Sequence, residues 1–113
     1  MFLLPAISYA QPVIEFDSES YNAGTTKQGD TIEHTFEFTN KGDEDLVIEK
    51  VTSSWGCTAA VASSSRLKPG ETGNINAKVV TKGRKGSISK VITVFSNDPK
   101  KPTVRLSIKT TVD

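Results

Sequence analysis

The most chemically distinctive stretch of the chain is Ser54-Trp55-Gly56-Cys57-Thr58, which holds its only cysteine and its only tryptophan. A thiol that follows glycine in an exposed loop can oxidise or pair with another chain. A cysteine packed as a small hydrophobe does neither. Residue type leaves both readings open for Cys57. With no second cysteine among 113 residues, an internal disulfide and a Cys-rich metal site are excluded. Trp55 offers either an aromatic anchor for a protein partner, a role in which tryptophan is enriched, or a cap packed over one end of the fold.

The other candidates are weaker. His34 is the single histidine and shares its parity with Phe36 and Phe38, so it is expected at a strand end with its ring partly covered. No second histidine stands at ligand spacing, which makes it a poor metal site and a poor catalytic base. Glu33 and Glu37 fall on the solvent side of the same run. Lys82, Arg84 and Lys85 with Lys90 form a modest basic tip that could touch an anionic polymer or a phosphate headgroup, although lysines in turns are ordinarily just solvated. There is no Gly-x-Ser-x-Gly elbow, phosphate-binding glycine loop or Cys-x-x-Cys-His haem attachment. The expectation is a protein without catalytic residues, cofactor or metal.

The elements that would position these residues are short strands. In Thr31-Ile32-Glu33-His34-Thr35-Phe36-Glu37-Phe38-Thr39, Ile32, Phe36 and Phe38 share one parity while Thr and Glu fill the other, the pattern of a half-buried strand. Asn40-Lys41-Gly42 ends it with residues suited to a tight turn. Before it come a strand at 13–16, a polar break at 17–20, a brief segment at 21–24 and a turn at Lys27-Gln28-Gly29-Asp30. After it, residues 46–51 form a strand in which Leu46 and Ile48 share a face, and Val51 joins them only through a bulge. Residues 59–67 are weakly patterned and read as a loop with at most a short edge strand.

Lys68-Pro69-Gly70-Glu71 is a turn, and the strand that follows places Ile75, Ala77 and Val79 inward. Lys82-Gly83-Arg84-Lys85-Gly86 reads as a hairpin loop, followed by Ile88, Ile92 and Val94 on one face. Ser96-Asn97-Asp98-Pro99 breaks that strand, and the last one turns Val104, Leu106 and Ile108 inward. With Ile14, Phe16, Ile32, Phe36, Phe38, Leu46 and Ile48, these residues form the expected core. No apolar residues recur at helical spacing. The fold class is therefore all-β, an immunoglobulin-like sandwich of about seven antiparallel strands with Greek-key connections.

One domain accounts for the length, residues 11–113. With 14 basic against 13 acidic residues the net charge is +1, so no footprint of a nucleic-acid binder or polybasic membrane anchor is present, and no run is long enough to span a membrane. Residues 1–10 read as the remnant of a secretory signal peptide: Phe2-Leu3-Leu4-Pro5-Ala6-Ile7 is apolar, and Ser8-Tyr9-Ala10 places small residues where a signal peptidase cleaves, before Gln11. The basic n-region is missing and the apolar run is short. The expected location is the periplasm or outside the cell.

Six pieces in register resemble a family of secreted bacterial domains of unknown function, DUF1573: Phe36-Glu37-Phe38-Thr39-Asn40-Lys41-Gly42, Leu46-Val47-Ile48, Ser54-Trp55-Gly56-Cys57-Thr58, Leu67-Lys68-Pro69-Gly70-Glu71, Gly83-Arg84-Lys85-Gly86 and Ser96-Asn97-Asp98-Pro99. The likeness runs from about residue 13 to residue 113. That family is similar to the immunoglobulin-like domains of ciliary and centrosomal proteins (the HYDIN/ASH type) and, more distantly, to sperm-protein and pilus-chaperone sandwiches. The resemblance implies an exported sandwich without an established activity. Where the family shows Ser-Cys-Gly-Cys-Thr, this chain has Trp55 in place of the first cysteine, so dithiol cycling or two-thiolate metal binding is not available within one chain.

Two functional readings follow. In the first, the domain is a non-enzymatic interaction or structural module that binds an unidentified envelope or extracellular protein through an edge strand or through the loop of Trp55, Gly56, Cys57 and Thr58. Lys100, Lys101 and Pro102 already shield the start of the last strand from such pairing. In the second, it is a thiol-redox or metal-handling accessory protein that acts through Cys57.

Overall fold

In the computed structural model, which describes residues 10–61 and 63–113, every regular element is a strand. There are nine: β1 (Ile14–Phe16), β2 (Ser20–Thr26), β3 (Thr31–Asn40), β4 (Leu46–Ser53), β5 (Cys57–Val61), β6 (Arg66–Leu67), β7 (Thr72–Val80), β8 (Gly86–Ser96) and β9 (Thr103–Val112). They form a four-stranded sheet in the order β1-β3-β7-β5 and a five-stranded sheet in the order β2-β9-β8-β4-β6. The chain passes from one sheet to the other at every connection except the hairpin between β8 and β9.

β3 is the centre of the first sheet because its alternation lets one face go dry. Ile32, Phe36 and Phe38 are buried, and β7 runs antiparallel beside them with Phe36 opposite Ile75 and Phe38 opposite Gly73. Gly73 makes room for the Phe38 ring, since a Cβ there would lie 2.6 Å from Phe38 Cζ. Phe16 of β1 packs on the same ring with centroids 5.3 Å apart. The second sheet answers with Ile92 opposite Leu106 and Val94 opposite Val104, all four buried. In β4 the register with β8 shifts between Ile48 and Lys50. That bulge brings Val51 against the core, as its parity required.

Turn residues join the layers. Asn40 is fully buried; its Oδ1 accepts from the N–H of Val13 and of Gly42, and its Nδ2 donates to the carbonyls of Glu44 and Leu67. Asp98, at the β8–β9 hairpin, accepts the N–H of Ile14 at 2.9 Å and those of Lys100 and Lys101 at 2.8 and 3.1 Å. One carboxylate thereby ties β1 of the first sheet to the hairpin of the second.

The sandwich departs from expectation in five ways. It has nine strands rather than about seven, and β2 pairs with β9 in parallel. The turn at 82–86 is no hairpin loop, because β7 and β8 belong to different sheets. Residues 59–67 hold more strand than the one short edge strand allowed for: β5, at the sheet edge, pairs with β7 over five positions, and the two-residue β6 pairs with β4. Ile88 is only half-buried, whereas Cys57, Leu67 and Val112 belong to the interior. Residues 1–9, which carry most of the signal-peptide expectation, lie outside the described residues.

Candidate functional site

The chain crosses from β4 to β5 through Ser54, Trp55 and Gly56, and almost every polar group of this turn is tied down. The Ser54 N–H donates to the carbonyl of Val91 at 2.9 Å, and the Val91 N–H donates to Ser54 Oγ at 2.9 Å. The Cys57 N–H closes the turn on the Ser54 carbonyl, and Ser53 Oγ donates to the Cys57 carbonyl at 2.7 Å. Gly56 has φ of +84°, a conformation that side chains resist. Its carbonyl accepts from the Val80 N–H. Lys90 Nζ donates to the Trp55 carbonyl at 2.8 Å.

This fixed backbone presents an indole to solvent: Trp55 is 85% exposed. Its one aromatic-face neighbour is Arg84, whose guanidinium carbon lies 5.4 Å from the ring centroid, within cation–π range. The exposed large apolar residues among those described are Trp55, Val80 and Val91. Val80 and Val91 are the two residues whose backbones bond to Gly56 and Ser54, so all three gather at one end of the sandwich.

The turn leads directly into an edge. β5 ends the four-stranded sheet and pairs only with β7. The Val80 N–H bonded to Gly56 marks that pair as a hydrogen-bonded one. Bonded and non-bonded pairs alternate in an antiparallel ladder. Thr58 and Ala60 therefore bond inward to β7, and Ala59 and Val61 turn their N–H and C=O outward along the edge. The strand carries neither charge nor proline, the devices that usually discourage pairing at an edge. Beside it runs a shallow depression lined by Thr58, Ala59, Ala60, Asn76 and Lys78.

Of the residues singled out in the sequence, Trp55, Gly56, Cys57 and Thr58 come together at this corner, but their roles diverge. Cys57 is not in a loop; it is the first residue of β5 and is buried. Burial pushes its thiol up from the ordinary range, only partly opposed by the positive charge of Lys90. It packs as a small hydrophobe rather than as a nucleophile. Thr58 is exposed on the outer face, opposite Lys78. His34 stacks on Tyr21, with ring centroids 3.8 Å apart, and meets the edge of Phe36. Desolvation holds its pKa down. Glu33 pairs with Lys78 on the solvent face at 3.3 Å. Among the described residues no three His, Cys, Asp or Glu side chains are placed to hold a metal ion.

The basic tip divides. Lys82 and Lys85 are exposed, Arg84 is half-buried on Trp55, and Lys90 points between the sheets and is buried. Reading Lys90 as one of four surface charges missed this. Its parity with Ile88 and Ile92 in β8 was the available signal.

Two layers of strands that exchange the chain at nearly every turn define an immunoglobulin-like sandwich. The chain belongs to the family described as "Protein of unknown function (DUF1573)", which matches residues 14–112. It is similar to a protein of unknown function from Porphyromonas gingivalis W83, at 28% identity and a TM-score of 0.79, covering 95% of this chain and 50% of that one. The seventh PapD-like (ASH) domain of human CEP192 shares the fold at 15% identity and a TM-score of 0.70, covering 100% and 94% of the two chains. The secreted serine protease VesC from Vibrio cholerae contains a similar region, at 16% identity and a TM-score of 0.65, over 88% of this chain and 23% of that one. The chain thus spans half or less of the Porphyromonas and Vibrio proteins. A comparison with curated proteins finds no match.

Proposed function

We propose that this domain is a non-enzymatic interaction module, working in the periplasm or outside the cell, that binds another protein through the Trp55 turn and the adjoining edge of β5. The observation that carries this reading is the exposed indole on a backbone fixed at Ser54, Trp55, Gly56 and Cys57. A large aromatic side chain left in water by a rigid turn loses little freedom when a partner covers it, and covering it is worth about 2–3 kcal/mol. The outward N–H and C=O groups of Ala59 and Val61 supply the main-chain bonds by which an extended segment adds to a sheet. Export rests on the apolar run and small-residue cleavage pattern of residues 1–10. The thiol reading draws no support from Cys57, which is buried and held protonated.

The test is affinity capture from a bacterial envelope extract with wild-type protein and three variants. Trp55→Ala removes the anchor. Ala59→Pro removes an outward N–H while sparing the bonds to β7. Cys57→Ser changes only the thiol. A partner retained by wild type and Cys57→Ser but lost by Trp55→Ala and Ala59→Pro is the expected result. Retention by both surface variants, or loss confined to Cys57→Ser, would overturn it.

A further inference from the structure

Lys90 is buried to 9% exposure, and its ammonium has a neutral carbonyl, that of Trp55, as its hydrogen-bond partner. A buried cation normally sits against a carboxylate, since desolvation is otherwise uncompensated. Among the described residues the ion pairs are Arg66–Asp45, Lys78–Glu33 and Lys101–Glu19; neither Lys90 nor Arg84 takes part in one. Yet these two cations converge. A Cβ placed on Gly56 would have Arg84 Nη2 at 3.3 Å and Lys90 Nζ at 3.7 Å. Because residue 56 is glycine, it brings no side chain of its own against the two cations, and the Arg84 guanidinium lies over the Trp55 ring.

Neither side chain is there by accident of flexibility. The Arg84 backbone is fixed by its N–H on the Thr81 carbonyl and by Gln28 Nε2 on its own carbonyl, both at 2.9 Å. Lys90 is held by its place on the inner face of β8, opposite Ile108. Two like charges brought to one point repel, the more so where water is thin. A lysine serving only to clamp the Trp55 turn would need no arginine beside it. An anion between them converts the repulsion into two charge-assisted contacts, and the arginine fork suits a carboxylate.

We propose that Arg84 and Lys90, above Gly56, form a carboxylate-binding site, and that its occupant is an acidic group of the polypeptide docked at Trp55. This rests on the interaction reading given above. Gly56 immediately precedes β5, so a segment lying along that edge brings one of its residues over the two cations. The site adds a chemical requirement to the partner: an Asp, a Glu or a terminal carboxylate at the end of the segment nearest Trp55. Exposed Lys82 and Lys85 add positive charge on the approach.

The chain's single tryptophan makes the site readable. Sodium acetate and sodium phosphate, each titrated at constant ionic strength, are the probes; the readouts are Trp55 fluorescence and the amide resonances of Gly56 and Cys57. Acetate should give a saturable change that weakens about tenfold or more in Arg84→Gln and in Lys90→Met. Arg84 lies in a connection, so its variant keeps the test sound if Lys90→Met fails to fold. Tighter binding of phosphate overturns the carboxylate assignment, and no response to either anion overturns the site. In parallel, random peptides displayed against wild type should be enriched in Asp and Glu, an enrichment that Arg84→Gln abolishes. Peptides that need Trp55 but show no acidic preference overturn the carboxylate site and leave the interaction reading standing. Acetate binding without any Trp55-dependent peptide upholds the anion site and overturns its peptide occupant together with the interaction reading.

Discussion

Lys90 Nζ, from the inner face of β8, donates a 2.8 Å hydrogen bond to the carbonyl of Trp55 in the opposite layer's approach turn. One buried ammonium thus holds the backbone from which the most exposed apolar side chain projects. The arrangement separates stability from presentation. Among the described residues Lys90 takes part in no ion pair, so removing its charge strands no buried carboxylate, and Lys90→Met should change unfolding free energy by no more than about 1 kcal/mol. The turn, however, loses its tether. Amide exchange at Gly56 and Cys57 should quicken several-fold in Lys90→Met, and unchanged exchange there would show that the hydrogen bonds of Ser54 suffice.

Asp98 should dominate the acid sensitivity of the fold. Burial by itself raises its pKa, but the N–H groups of Ile14, Lys101 and Lys100 more than offset this, and the net shift is downward. A carboxyl depressed in the folded state contributes stability above its unfolded pKa, near 3.8, and loses it as pH falls through the lower folded value. Urea unfolding followed below pH 4 should therefore show a steep loss in wild type that is shallower in Asp98→Asn. Asp98→Ala, which strips all three N–H groups of their acceptor, should cost about 3 kcal/mol at neutral pH.

His34 acts in a different window. Its stacked position on Tyr21 favours the neutral ring and lowers its pKa from 6.5. As pH drops below that value the unfolded chain takes up the proton first, so stability declines until the folded ring is protonated too. The slope of unfolding free energy that sets in as pH falls below 6.5 should disappear in His34→Gln. A slope that persists would place its origin elsewhere.

Much of this architecture was legible because β3, β7, β8 and β9 alternate cleanly, which fixes both strand and face. Turn signals were legible too, though not their full purpose. Asn40 reads as a turn former, yet its buried amide bonds four backbone groups from three segments. Asp98 reads as a strand breaker, yet it carries β1. β5 was hidden because Ala59 and Ala60 blur the contrast between faces, and its existence depends on pairing with β7. The parallel β2–β9 pairing is set by residues some 85 positions apart and leaves no local trace. At the candidate site, an exposed tryptophan could be imagined from the sequence, but the lysine beneath it could not be told from a surface charge by residue type alone.

Gly73 and Phe38 give a sharp test of packing. They face each other across β7 and β3, and Phe38 is wholly buried. A methyl at residue 73 would lie 2.6 Å from Phe38 Cζ and 3.0 Å from Ser63 Oγ, so the ring must shift within a filled interior. Gly73→Ala should cost about 1–3 kcal/mol despite its gain in strand propensity, measured by urea unfolding. Combining it with Phe38→Leu should recover part of that cost, because the two residues share one space and their effects do not add.

Cys57 offers the final check on which chemistry this corner performs. Its thiol is buried among the core residues of the first sheet and is held protonated by that burial, whereas attack on a disulfide reagent requires an exposed thiolate. Under native conditions at pH 7 a chromogenic aromatic disulfide should label Cys57 at least about a hundredfold more slowly than in denaturant, at a rate set by opening of the β5 edge. Ala60→Pro, which removes an N–H that bonds to β7 and so loosens that edge, should accelerate labelling, while Trp55→Ala should leave it nearly unchanged. Rapid labelling of the folded wild type would mean that β5 opens readily and that the thiol, rather than the indole, is what this end of the sandwich offers to a partner.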